Sequence, residues 1–364
     1  MDILLYEDEH VVDLYPITLT RAAFAVPVGG IRLYEMLRRT FPEAKISYRV
    51  RDLVRAHTQR QFPNRDVDES TALQVNARAV PSLANMRRIS GEEDGLDLIS
   101  YPHETIIWHK RICPENFDHF KSDGAYQEIE KGVYVGKNVT IHAPVAFDCS
   151  PGPVIIEDET EIFPFSCIEG PVLIGKQCKI MSHSTIHDRV HIGDVCKIRG
   201  EVTESVVMPF SNKQHYGFLG NAFVGEWVNL GAGTCNSDLK NTYGDISVKM
   251  GNTKIETGEQ FLGCVIGDFS KTAINTSIFT GKSIGVNSFL YGIVDEDIPS
   301  FVNHMKYLGG KSCVFYLEKA IDTQRRMFAR RNKTQESDDI EILRRIFDLT
   351  ATERDSFLEA YKNR

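Results

Sequence analysis

From Ile156 to Ile198 the chain counts in sixes. Ile156, Ile162, Ile168, Ile174, Ile180, Ile186, Ile192 and Ile198 follow one another at an unbroken six-residue spacing. The residue four places after each is small or β-branched: Thr160, Ser166, Val172, Cys178, Ser184, Val190, Cys196 and Val202. A helix repeats every 3.6 residues and an ordinary strand every 2, so neither produces this pattern. A hexapeptide β-helix does, because each hexad supplies one short strand and turn and points one apolar side chain into a narrow prism. Stacked coils then bury an aliphatic column that no single coil can bury alone.

The repeat opens at Val135-Gly136 and Ile141 and continues at Phe147. It resumes at Phe218, Val224 and Leu230, and again at Ile266, Thr272, Ile278, Ile284 and Leu290. At about three hexads per coil this predicts roughly seven coils. The count breaks at 148–155, 204–217 and 236–265, which read as excursions from a rigid scaffold, where binding groups tend to sit.

Residues 1–128 lack the repeat. Ile3-Leu4-Leu5, Lys45–Val50 and Thr105–Trp108 read as strands, and Ile31–Thr40 and Leu53–Gln61 as helices, which predicts a small α/β domain. From Lys311 the apolar spacing turns helical, through Phe315, Leu317, Ala320 and Ile321, then Ile340, Leu343, Ile346 and Phe347. The fold class expected is a left-handed parallel β-helix over 129–310, with a small N-terminal α/β domain over 1–128 and a C-terminal helical tail over 311–364. The tail helices are expected to cap the open end of the β-helix or to pack on a neighbouring subunit.

A formal charge of −8 argues against a dedicated nucleic-acid binder. No stretch has the apolar length of a membrane span, and no leader pattern opens the chain. The eight cysteines form no Cys-x-x-Cys pair, and Cys178 and Cys196 fall on inward positions of the repeat, as reduced thiols would. These features point to a soluble cytoplasmic protein. His183, His187 and His191 fall at different points of the hexad, so they do not converge on one ion, and no metal site is expected there.

Two segments carry the chemistry. The first is Gln214-His215-Tyr216-Gly217-Phe218-Leu219-Gly220 and the second Asn229-Leu230-Gly231-Ala232-Gly233-Thr234. With Asp238-Leu239-Lys240-Asn241 and the run Ile266–Asn275, they resemble the acetyltransferase half of the bifunctional glucosamine-1-phosphate acetyltransferase / N-acetylglucosamine-1-phosphate uridylyltransferases and their two-domain relatives. That resemblance implies acetyl-CoA as acyl donor, an amino sugar phosphate or nucleotide-linked amino sugar as acceptor, and a homotrimer with sites between neighbouring β-helices. It makes His215 the general base, a role suited to an imidazole that titrates near neutrality. Arg199 and Lys213 become candidates for the acceptor's phosphate, Lys240 and Lys271 for the anionic end of coenzyme A, and Phe218 and Asn229 for the walls of the site. Phe218 stands where the family has tyrosine, and Ala273 where it has glycine.

In the first domain, Asp13–Arg21 and Pro27–Leu33 resemble the N-terminus of the nucleotidylyltransferases. There a Gly-rich loop brings backbone N–H groups close to a triphosphate. Here that place holds Tyr6-Glu7-Asp8-Glu9-His10, with three carboxylates and no glycine. Thr18, Arg21 and Arg78 are the candidates to hold a nucleotide sugar, and Mg²⁺ is expected only if nucleotidyl transfer survives. The resemblance thus leaves three readings: N-acyl transfer, nucleotidyl transfer to a sugar 1-phosphate, and a non-catalytic nucleotide-sugar-binding scaffold.

Overall fold

The computed structural model describes residues 1–122, 126–251, 253–305 and 311–362. Its centre is a left-handed parallel β-helix. On one face, strands Val133–Val135, Val154–Ile156, Val172–Ile174, Val190–Ile192, Val206–Val207, Phe223–Val224, Val265–Ile266 and Ser283–Ile284 stack in parallel, and Ile298 bridges to Ile284. That makes nine rungs on this face among the described residues, more than the seven coils expected. Counting hexads missed rungs because coil length varies: Ile192 and Val207 are register neighbours only 15 residues apart, where Ile174 and Ile192 are 18 apart.

The isoleucine column behaves as the spacing demands. Ile162, Ile168, Ile180, Ile186 and Ile198 are wholly buried, as are the small partners Thr160, Cys178 and Cys196. Each buried aliphatic side chain contributes about 1.5–3 kcal/mol relative to exposure. The corners need left-handed backbone, and even bulky residues accept it there: Phe165, His183 and Val195 have φ of 64°, 62° and 61°. The segment 204–217 is not an excursion. Its strands Val206–Val207 and Asn212–Lys213 stay in the ladder. Leu219, not Phe218, continues the inner column, being paired with Val202.

The first face is apolar outside as well as inside. Ile155, Leu173, Val206, Phe223 and Val265 point away from the prism, yet they are buried in one core with the N-terminal unit. A sheet with both faces covered reads as a continuous apolar run, which accounts for Val-Ile-Ile and Val-Leu-Ile here. The N-terminal unit is a parallel sheet of β1 (Asp2–Tyr6) flanked by β2 (Lys45–Arg49) and β3 (Leu73–Asn76). Its helices are α1 (Leu33–Thr40), α2 (Arg55–Gln61), α3 (Leu83–Ile89) and α4 (Glu104–Phe120). The strand expected at Thr105–Trp108 is the first part of α4. Ile106, His109, Cys113, Phe117 and Phe120 are buried at helical spacing, a stripe obscured by the short apolar run and by Pro114 within the helix.

The 236–265 break holds an antiparallel hairpin, Ser247–Met250 with Thr253–Glu256. In the tail, α5 (Leu317–Ala329) lays Phe328 on Trp227, with ring centroids 4.6 Å apart. Helix α6 (Ser337–Leu349) returns to the N-terminal unit, where Arg345 pairs with Asp52. Helix α7 (Ala351–Lys362) sets Phe357 and Leu358 against the inner column. The tail therefore both caps the prism and ties it back to the N-terminal unit. Among the described residues, no helix is long and apolar enough to cross a membrane.

Candidate functional site

Three turns stack at the corner after the second face, whose strands begin with Thr140–Ile141, Glu161–Ile162, Lys179–Ile180, Lys197–Ile198 and Asn212–Lys213. The turns contain Gln214–Gly217, Ala232-Gly233 and Ala273–Asn275. The Gly233 N–H donates to Tyr216 O at 3.0 Å, and the Asn275 N–H to Ala232 O at 2.7 Å. His215 projects from the first turn and is exposed. Beside it the Tyr216 hydroxyl reaches Asn275 Oδ1 at 3.5 Å. The close stacking explains two glycines. A Cβ at Gly233 would lie 2.2 Å from Asn275 Oδ1, and one at Gly217 (φ +136°) would lie 2.1 Å from Thr234 O. Tyr216 and Asn275 were not singled out from sequence as site residues, although the glycine between them was the available signal.

Lys213, a candidate for the acceptor's phosphate, is turned into the prism. It occupies the inward position held by Ile198 one coil earlier. Its stem fills the prism and its ammonium donates to the carbonyls of Arg199 (2.8 Å), His215 (3.3 Å) and Gly217 (2.6 Å). Burial pushes its pKa down to about 8. All three donor positions are spent on backbone carbonyls, two in the turn that presents His215 and one at Arg199 on the coil before it.

Arg199 stands half-buried at the same corner, one coil before His215, and Phe218 is half-buried just beyond it. Asn229 is exposed in the second face, bridging Asn212 and Lys271, so it lies off this corner. Lys271 lies 5.0 Å over the Phe289 ring and donates to Phe269 O at 2.8 Å. Burial pushes its pKa down to about 7. The ammonium of Lys240 is turned to Asp245 O within the insertion. The structure thus brings Arg199, His215 and Phe218 together with Tyr216 and Asn275, and places Asn229, Lys240 and Lys271 elsewhere.

The three residues expected to hold a nucleotide sugar have other partners. Thr18 is wholly buried and donates to Val11 O at 3.0 Å. Arg21 crosses to the β-helix and pairs with buried Asp268, with Glu226 3.6 Å away. Arg78 grips Asp8 through Nε (2.9 Å) and Nη2 (2.7 Å), and spends Nη1 on Ile99 O. Beside them the Glu7 carboxylate accepts the N–H groups of Ala23 and Arg51, each at 2.9 Å, and the Arg51 guanidinium at 2.7 Å. Carboxylates of the chain itself therefore take the guanidinium donors of Arg21 and Arg78, and a backbone carbonyl takes the Thr18 hydroxyl, so all three side chains point to partners within the fold.

The three spaced histidines point from different places: His183 stacks on Phe165, His187 lies 3.4 Å from Glu201, and His191 faces the N-terminal unit. A fourth, His57, meets Asp338 and Asp339, but the Arg60 guanidinium already pairs with both carboxylates.

Residues 3–145 match the family model described as sugar nucleotidyl transferase. A bifunctional sugar-1-phosphate nucleotidylyltransferase/acetyltransferase of Sulfurisphaera tokodaii is 35% identical over 100 residues, 27% of this chain and 25% of that protein. The bifunctional protein GlmU of Methanococcus vannielii is 31% identical over 106 residues, 28% of this chain and 25% of that protein. The match thus spans about a quarter of the length of these curated relatives. Among solved structures, the Francisella novicida UDP-N-acetylglucosamine acyltransferase aligns over 63% of this chain and 78% of its own, at 15% identity and a TM-score of 0.35. PerB from Caulobacter crescentus, solved with CoA and GDP-perosamine, aligns over 83% and 91%, at 10% identity and a TM-score of 0.19.

Proposed function

We propose that the protein is a coenzyme-A-dependent N-acyltransferase acting on an amino sugar phosphate or a nucleotide-linked amino sugar, with His215 as general base. The observation that carries this reading is the stacked corner, where an exposed imidazole stands on a turn fixed from inside the prism by Lys213. In the reaction, His215 takes a proton from the acceptor ammonium and the freed amine attacks the thioester carbonyl. The C–S bond then breaks, the His215 imidazolium returns its proton to the departing sulfur so that coenzyme A leaves as its thiol, and the nitrogen loses its second proton to solvent as the amide forms. Arg199, one coil away, supplies a guanidinium for the acceptor's phosphate. Acetyl-CoA is the donor proposed.

The same reading makes the enzyme a homotrimer. Phe165, Tyr216 and Ile274 are 61%, 64% and 69% exposed at or beside the corner. Apolar surface of that kind marks an interface, and a neighbouring β-helix would complete the site. All eight cysteines are free thiols, in keeping with work in the cytoplasm.

A second reading, nucleotidyl transfer to a sugar 1-phosphate with Mg²⁺ on the phosphates, draws on the match over residues 3–145. The filled anion positions at Glu7 and Asp8 favour instead a binding or structural part for the N-terminal unit. One assay separates them. Purified protein is given acetyl-CoA with a panel of amino sugar 1-phosphates and nucleotide-linked amino sugars, and separately nucleoside triphosphate with sugar 1-phosphates. Thiol release that disappears in His215→Ala is the expected result. Undiminished release by that variant, or pyrophosphate release alone, would overturn the acyltransferase assignment.

A further inference from the structure

Between the N-terminal unit and the first coils lies a cleft of 740 Å³, at the corner that ends the first face, whereas the turns that carry His215 occupy the next corner, after the second face. One wall is the start of α1 with Arg32, closed by Phe120. The other is the edge of the β-helix at Lys137, Lys176 and Leu173, and His191 lines the space between them. A volume of this size is in the range that holds small-molecule ligands, which run to roughly 300–1,000 Å³.

The carboxylates that line this cleft are each held by a donor of the chain itself. Asp158 spends an oxygen on the backbone N–H of Lys137 (2.7 Å), and Asp194 does the same for Lys176 (2.8 Å). Glu157 is held by the Tyr126 hydroxyl at 2.5 Å, and Glu35 by Arg32 at 3.3 Å. The ammonium groups of Lys137 and Lys176 stay exposed and form no ion pair among the described residues. They stand on coils two rungs apart, about 10 Å at the strand spacing of a sheet, and their flexible stems reach across that gap.

His191 gives the independent sign. It is nine-tenths buried, lines the cleft, and its Nδ1 has no hydrogen-bond partner. A buried polar atom without a partner costs on the order of 1–3 kcal/mol. Burial first, then His109 and Arg32, lower its pKa to about 3, so the ring is a neutral donor and acceptor. The neighbouring His109 shows what a satisfied ring looks like here: its Nδ1 accepts from the Gly29 N–H at 3.1 Å and its Nε2 contacts Arg189 O at 2.8 Å.

We infer that this cleft is a second ligand site, shaped for a phosphate-bearing small molecule of nucleotide size, with the phosphates between Lys137, Lys176 and Arg32 and the body of the ligand over Phe120, Leu173 and His191. It does not depend on the acyl-transfer assignment, since it shares no residue with the corner at His215.

The test is isothermal titration of the full chain with UDP, with uridine as the probe lacking phosphate. UDP binds and uridine does not. The exposed double variant Lys137→Glu/Lys176→Glu, which touches no packed residue, weakens UDP binding about tenfold or more, as loss of charge-assisted contacts predicts. His191→Phe weakens it as well, and His215→Ala binds UDP as the wild type does. Absence of UDP binding, equal binding of uridine, an unchanged affinity in the double variant, or loss of binding in His215→Ala would each overturn the inference. Acetyl-CoA turnover, read separately, reports on the other site alone.

Discussion

The ammonium of Lys213 sits inside the β-helix and is bonded to the carbonyl of His215, the residue that stands outside it. A charged group has replaced an isoleucine in the column so that one exposed turn is held from within. Lys213→Met keeps the stem and removes the three hydrogen bonds. The expected outcome is a folded protein whose kcat for acyl transfer falls about tenfold while KM changes little, because positioning of the base is lost rather than binding. Circular dichroism checks the fold and steady-state kinetics the split.

The same lysine has a pH signature. Burial lowers its folded pKa from 10.5 to about 8. Between those values the unfolded chain holds a proton that the folded chain has released, so raising the pH favours the folded state. The gain is complete above 10.5 and is lost as pH falls through about 8. Urea titrations from pH 7 to 10.5 should show wild-type stability rising relative to Lys213→Met across that window. A parallel pair of curves would mean that Lys213 titrates normally.

Arg21 and Asp268 make the buried ion pair that joins the N-terminal unit to the solenoid. Arg21→Met leaves Asp268, itself 2% exposed, without its counter-charge. Stability should fall by about 3–5 kcal/mol. Adding Asp268→Leu should return most of that loss, because the cost lies in the stranded charge and not in the missing bond. Denaturant unfolding of the two variants measures both.

Asp8 is held below the usual carboxylate range, chiefly by its hydrogen bond to Arg78, with burial opposing. Its contribution is therefore present above the ordinary aspartate pKa and is lost as pH falls through the depressed folded value. Asp8→Asn should cost about 1.5–3 kcal/mol at pH 7, the worth of a hydrogen bond to a charged group. The difference from wild type should vanish at the acid end of a pH–stability series.

Gly217 combines a φ of +136° with a carbonyl where a side chain would begin. Gly217→Ala should displace the His215 turn and abolish acyl transfer, with a lowered melting temperature. Gly91→Ala, at an open loop position of φ +88°, serves as the comparison for backbone strain without a clash. Calorimetry and the thiol-release assay together separate the two effects.

The prism was legible because its physics is one-dimensional: each coil repeats the same inward demand, so Ile156 to Ile198 announce it. What the repeat could not show was where a coil is shortened, as between Ile192 and Val207, or where Lys213 takes an aliphatic place. The motif around His215 was readable, and its neighbours Tyr216 and Asn275 came together only through stacking of turns far apart in sequence. Thr18, Arg21 and Arg78 misled for a physical reason. A donor near a loop can serve an external anion or an internal acceptor, and only the folded chain shows that Asp268 claims Arg21, Asp8 claims Arg78 and the Val11 carbonyl takes the Thr18 hydroxyl. The α4 stripe was hidden because a four-residue apolar run satisfies strand and helix equally.

The start of the first-face ladder and the end of the second are finished differently from their middles. Gln127–Glu130 runs antiparallel to the first rung of one, and Cys313-Val314 antiparallel to the last strand of the other. A parallel rung left bare would template another copy of itself and let molecules join end to end. A strand laid in the reverse direction breaks that template, and α7 covers the final cross-section. The molecule thus carries a stop signal at each end of the solenoid, one on each of two ladders, which disfavours end-to-end growth. Removing residues 351–364 would expose one terminus and convert a particle of fixed length into a polymerising one.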